Sequence, residues 1–148
     1  GFVCLINKGI SMAEKLVLNL IKRKCITISE DSTISDLADL LTLNNIGAVV
    51  VVDSNNKAIG IVSERDVIRN HNKNYNYIKN IMTNKLISCD LSISSTSLLE
   101  IMNKNKVRHV PIINKNQLLG IVSIGDVVKR LIETYENENI NLKNFINS

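Results

Sequence analysis

The sequence predicts an α/β (α+β) fold built from two β-α-β-β-α repeats, on three observations. A seven-residue segment occurs twice, apolar residues recur at helical spacing at matching places, and paired β-branched runs flank short turns. The duplicated segment is Gly60-Ile61-Val62-Ser63-Glu64-Arg65-Asp66, which returns as Gly120-Ile121-Val122-Ser123-Ile124-Gly125-Asp126 with five identities in seven positions. Upstream the match continues at an offset of 61: Cys25-Ile26-Thr27 lies over Leu86-Ile87-Ser88, Leu37 over Leu98, Leu40-Leu41 over Ile101-Met102, and Ile46 over Val107.

Each repeat opens on a short apolar strand, Ile26 to Ile28 and Leu86 to Ser88. A helix follows, because Ser32 or Thr33, and Ser94 or Ser95, can accept hydrogen bonds from the free N–H groups of a first turn. Leu37, Leu40 and Leu41 then fall on one helical face, as do Leu98, Ile101 and Met102, and that face is core. Val49 to Val52 and Ala58 to Val62 form a hairpin around Asp53-Ser54-Asn55-Asn56, and Val110 to Ile113 and Leu118 to Val122 form another around Asn114-Lys115-Asn116. Each hairpin runs into a further helix, Glu64 to Arg69 and Ile124 to Glu133. The division expected is an N-terminal helical segment (1–24) with an amphipathic helix from Met12 to Arg23, a first repeat (25–70), a linker and short helix (71–82), a second repeat (83–135) and a tail (136–148) that extends the last helix and then frays. Lys22-Arg23-Lys24 reads as a solvated helix end.

Composition narrows the function. Hydrophobic residues are 45% and charged residues 22% of the 148, and the longest apolar run, Gly47 to Val52, is too short for a membrane span. Gly1 to Ile6 is apolar but short and no signal-peptide pattern opens the chain, so a cytoplasmic protein without membrane contact is expected. Cys4, Cys25 and Cys89 suggest neither disulfide framework nor zinc knuckle. Net charge is +4, yet the basic residues are dispersed and aromatics are 3%, which argues against nucleic acid. His71 and His109 have no ligand-spaced partners, and no Walker loop or catalytic triad motif occurs, so neither a metal nor catalysis is expected.

The duplicated Gly-h-h-Ser-x-x-Asp, the Arg108-His109-Val110-Pro111 segment and the Ile81-Met82-Thr83 stretch resemble the CBS (cystathionine-beta-synthase) domain pair, or Bateman module, over roughly residues 12–135. The resemblance implies repeats packed about a pseudo-twofold axis, an adenosine derivative in the cleft between them, and a homodimer formed through helices. Carried over, Asp126 and Ser123, beside Ile124, hold the ribose, while Arg65, Arg108 and His109 surround the phosphate. Ile87, Val107, Val110 and Pro111 line the adenine slot. A second site has Asp66, Ser63 and Thr27, but its counterparts of Arg108 and His109 are Gly47 and Ala48, and that of Arg65 is Gly125. It is therefore expected to be weak or empty.

The chemistry suits such a ligand. A carboxylate accepts hydrogen bonds from two vicinal hydroxyls, and a guanidinium matches two phosphate oxygens. AMP is the first expectation, with ATP or NADH as alternatives, in a regulatory role toward an unidentified protein target. Two other readings stay open: a dimerisation or scaffolding module without ligand, and a regulatory fragment of a larger enzyme or transporter. The long terminal segments favour a self-contained protein. A Ser or Asp after a strand is by itself most often a helix cap, so only the duplication lifts these residues above that reading.

Overall fold

The computed structural model describes residue 21 and residues 25–146, with side chains through residue 139. The expected helix over residues 12–23, apart from Ile21, the Lys22-Arg23-Lys24 helix end and Cys4 lie outside the described residues. The first repeat comprises β1 (Thr27–Ser29), α1 (Ile34–Asn44), β2 (Ala48–Val52), β3 (Ala58–Ser63) and α2 (Glu64–Arg69). A 3₁₀ turn (Ile78–Asn80) precedes the second: α3 (Ser95–Asn105), β4 (His109–Asn114), β5 (Gln117–Ser123) and α4 (Ile124–Ile146).

Local chemistry explains the boundaries. Thr33 caps α1 in a capping box, its Oγ1 accepting from the Asp36 N–H at 3.0 Å while Asp36 Oδ2 accepts from the Thr33 N–H at 3.2 Å. Ser94 caps α3 by accepting from the Ser97 N–H at 3.1 Å. Both helices end on a left-handed residue, Asn45 (φ 50°) and Lys106 (φ 54°). In the β4–β5 turn Lys115 and Asn116 both have positive φ, the conformation that a tight hairpin needs.

β2 is central, pairing parallel with β1 and antiparallel with β3, and it is buried on both faces. β4 and β5 form a separate antiparallel pair. The register breaks between Val51 and Val52 and again between Ile112 and Ile113, so the repeat reproduces even its bulge. The second repeat departs from expectation at Leu86 to Ser88, which form no strand. Cys89 alone bridges to Ile112, donating to the Pro111 carbonyl at 3.0 Å and accepting from the Ile113 N–H at 2.8 Å. The chain then turns away, because Asp90 Oδ1 accepts from the Ser92 N–H at 2.9 Å and folds the backbone over. At the other end, α4 runs past Glu133 through Ile146, into the tail expected to extend it.

Two cores result. Leu37, Leu41, Val49, Val51 and Val62 anchor the first; Leu98, Met102, Val110, Ile112 and Val122 anchor the second. The halves exchange segments. A Cβ at Gly60 would stand 2.5 Å from Met82 Cε and 2.5 Å from the Thr83 carbonyl oxygen, and one at Gly120 would stand 2.3 Å from Ile21 Cγ2. Positions 21 and 82 are 61 residues apart, the upstream repeat offset. The segment before each repeat thus packs on the last strand of the other, which is the contact a pseudo-twofold relation requires. The recurring glycine is the space that admits it.

Candidate functional site

Each strand-to-helix turn is tied to the residue before the preceding hairpin. The Glu64 N–H donates to the Gly47 carbonyl at 2.9 Å, and the Ile124 N–H donates to the Arg108 carbonyl at 2.8 Å. Gly47 therefore sits at the start of α2 and Arg108 at the start of α4. Between these two turns lies a cavity of about 380 Å³, lined from the first repeat by Gly47, Ala48, Ile61, Ser63, Glu64, Arg65, Asp66 and Arg69. Thr83 and, from the second repeat, Lys106, Val107, Arg108, His109, Ser123 and Ile124 complete it.

Ten sequence-derived residues meet there: Arg65, Val107, Arg108, His109, Ser123 and Ile124 from the expected main site, and Gly47, Ala48, Ser63 and Asp66 from the second. The two expected sites share one cavity. Asp126, Ile87, Val110, Pro111 and Thr27 lie outside its lining. Strand alternation separates β4's side chains, placing Val110 and Ile112 in the second core and His109 on the cavity face. Val110 is fully buried, so its side chain is committed to packing and not to an adenine slot.

Both aspartates are helix caps. Asp66 Oδ2 accepts from the Ser63 N–H at 2.8 Å and the Ser63 hydroxyl at 3.0 Å, and Asp126 Oδ2 accepts from the Ser123 N–H at 3.3 Å. The bland reading of these residues is thus real, but it uses one oxygen of each carboxylate, which has about four acceptor positions in all. Asp126 also lies near enough to act electrostatically on His109.

Five residues missed at the sequence level face the cavity: Ile61, Arg69, Lys106, Glu64 and Thr83. Arg69 had a signal, standing one helical turn after Arg65 on α2. Lys106 occupies the left-handed position where the first repeat uses Asn45, a conformation that costs a β-carbon residue about 1–2 kcal/mol, and strain of that kind gathers at functional sites. Among the described residues, none of Arg65, Arg69, Lys106 and Arg108 is held in an ion pair. With four cations against the two acids Glu64 and Asp66, the net positive charge around the cavity favours an anion.

His109 is not a further cation. Burial pushes its imidazole below the ordinary value of 6.5; Asp126 and Glu64 oppose the drop, and the Arg108 charge adds to it. The unfolded chain then binds more protons than the folded one below about pH 6.5, so stability rises with pH through that window. Acidification from pH 7.5 to 5.5 is expected to lower the melting temperature, and His109→Gln should flatten part of that slope. A wild-type and variant slope that coincide would remove the buried imidazole as the cause. Asp90, whose carboxyl the Ser92 hydroxyl and N–H hold below its usual 3.8, acts only at lower pH. Burial raises the Cys25 and Cys89 thiols, with Asp90 adding at Cys89, which leaves them poor nucleophiles.

Among the described residues, no cluster of three His, Cys, Asp or Glu is placed to hold a metal, and no helix is long and apolar enough to cross a membrane.

The family model described as CBS domain matches residues 17–72 and 78–133. A CBS-domain containing protein from Agrobacterium tumefaciens has a similar structure, with TM-score 0.73, 33% identity, and coverage of 82% of this chain and 95% of that one. A CBS domain protein from Pyrobaculum aerophilum complexed with AMP has TM-score 0.69 and 29% identity over 74% of this chain and 87% of its own. The CBS domain pair of protein MJ0100, in complex with 5′-methylthioadenosine and S-adenosyl-L-methionine, has TM-score 0.74 and 25% identity over 80% and 96%. Among curated relatives, the chain spans 24% of an inosine-5′-monophosphate dehydrogenase from Methanocaldococcus jannaschii (28% identical over 83% of this chain). It spans 57% of the mitochondrial CBS domain-containing protein CBSX3 from Arabidopsis thaliana (32% identical over 73% of this chain).

Proposed function

The chain belongs to the CBS domain family as a tandem pair of repeats, and from that premise we propose that it is a regulatory module that binds one adenine nucleotide, AMP first, in the cavity between its repeats. The observation that carries the reading is the set of four cations, unpaired among the described residues, contributed to one cavity by both halves. Solved relatives with AMP, or with 5′-methylthioadenosine and S-adenosyl-L-methionine, support the adenosine part.

In this reading the free oxygen of Asp126 and the Ser123 hydroxyl hold the ribose. Arg65 and Arg108 take the phosphate from opposite repeats, and neutral His109 donates one N–H to it. Val107 flanks the adenine, while Ile87 and Pro111 of the expected slot lie outside the cavity lining. The counterpart built on Asp66, Ser63, Thr27, Gly47 and Ala48 is the weaker site, because a phosphate already in the shared cavity repels a second one. A ligand held by both halves binds their closed arrangement better than any open one, and only such differential affinity can move a conformational equilibrium. Exposed Ile124, Val128, Ile132 and Tyr135 along α4, together with Ile68, suit a homodimer.

Calorimetric titration with AMP, ATP, NADH and S-adenosylmethionine tests the proposal. One site per chain with AMP is expected, with stabilisation of about 2.7 kcal/mol at a hundred times the dissociation constant. Two equal sites would remove the predicted asymmetry; no stabilisation by any of the four would favour a scaffolding module. A second reading, a regulatory part of a larger protein, is favoured by the short share of the dehydrogenase that the chain spans.

A further inference from the structure

We infer that Glu64 limits the charge of the ligand that the shared cavity accepts, favouring a nucleoside monophosphate over forms with a longer phosphate chain. The inference rests on the nucleotide reading above and deepens it. Six charged side chains line the cavity, and two of them, Glu64 and Asp66, are acids. The Asp66 carboxylate is engaged in its cap. Among the described residues, that of Glu64 is fixed by no hydrogen bond or ion pair.

Its position is specific. A Cβ at Gly47 would stand 3.5 Å from Glu64 Oε1 and 3.9 Å from His109 Cε1, so carboxylate and imidazole flank one side-chain-sized gap at the junction of the repeats. A phosphate placed at Arg65, Arg108 and His109 leaves this gap as the way onward for a β- or γ-phosphate. There each added charge meets a carboxylate at contact range. Glu64 is exposed and solvent screens it, so such repulsion at contact range amounts to up to about tenfold in affinity.

The repeat supplies an internal comparison. The counterpart of Glu64 is Ile124, which also lines the cavity but carries no charge, so the acid lies on one side only. The alternative role for Glu64 is the ordinary one of an acid in a helix's first turn, which stabilises the helix without regard to ligand.

The test is titration of the full chain and of Glu64→Gln with AMP, ADP and ATP in magnesium-free buffer, with tripolyphosphate as a competitor lacking adenosine. The wild type is expected to bind AMP at least as tightly as ATP. Glu64→Gln should tighten ATP and tripolyphosphate about tenfold and AMP by less than about threefold. An AMP-to-ATP ratio unchanged by the substitution, with both still bound, would overturn the role of Glu64 and leave the nucleotide reading standing. A melting temperature that falls without any change in the ratio would assign Glu64 to the helix alone. Failure of the wild type to bind any adenylate would remove the nucleotide reading and this inference together.

Discussion

Alanine at Gly60 is expected to lower the melting temperature by about 5 to 10 °C, although the same change in an unobstructed strand is close to neutral or stabilising. The new methyl group would lie 2.5 Å from the Thr83 carbonyl oxygen, a backbone atom, and 2.5 Å from Met82 Cε. Thr83 is held there by a pair of hydrogen bonds with Ile61, its N–H donating at 3.0 Å and its carbonyl accepting at 3.3 Å. Relief therefore requires β3 and the lead-in to the second repeat to separate, at a cost of about 1–3 kcal/mol for the overpacking and about 1 kcal/mol for each bond lost. Because Ile61 and Thr83 both line the cavity, nucleotide affinity should fall with stability.

Gly120 provides the control. There the obstructing atom is Ile21 Cγ2, the end of a side chain, so adding Ile21→Ala to Gly120→Ala should recover most of the loss. Adding Met82→Ala to Gly60→Ala should recover little, since the carbonyl remains. Thermal denaturation of the single and double variants reads this as a difference in coupling. A Gly60→Ala protein that melts with the wild type would show that the two halves are not clamped at this strand.

These two glycines also show what a sequence can and cannot convey. Their recurrence at an offset of 60 was plain, and so were the repeat, its hairpins and its capped helices, because each follows from local chemistry: a Thr or Ser ahead of an apolar helical face, or β-branched runs about a turn. The partner of each glycine was not legible, since nothing local says that Met82 will lie against the first repeat and Ile21 against the second. The lost strand at Leu86 to Ser88 has the same origin. Its apolar residues match Cys25 to Thr27, but whether such a segment pairs depends on how it meets β4, and only Cys89 does so. For the site, Arg65, Arg108 and His109 are legible through the resemblance, whereas nothing in the sequence singles out Lys106. Only the left-handed backbone and the shared cavity distinguish it. Val110 was assigned by its place beside His109 and Pro111, and the alternation of β4 sends its side chain into the core instead.

The second large effect concerns ligand affinity. Arg108→Ala is expected to weaken AMP roughly ten- to a hundredfold, because hydrogen bonds to a charged group contribute about 1.5–3 kcal/mol, while adenosine binding changes by less than about threefold. Arg65→Ala, which removes the guanidinium from the opposite repeat, should behave in the same way. The pair is informative beyond each single loss. If one phosphate bridges both guanidiniums, either substitution also frees the halves from each other, and the double variant should lose less than the two single losses combined. Lysine at position 108 restores the charge but not the planar fork, so it should recover only part of the affinity. Both residues are solvent-exposed and neither is in an ion pair among the described residues, so their removal should leave the melting temperature of the free protein nearly unchanged. Calorimetry with AMP and adenosine, beside thermal denaturation without ligand, separates these effects. Equal losses for AMP and adenosine would show that Arg108 shapes the cavity without touching a phosphate, and the electrostatic basis for a bridging anion would be lost.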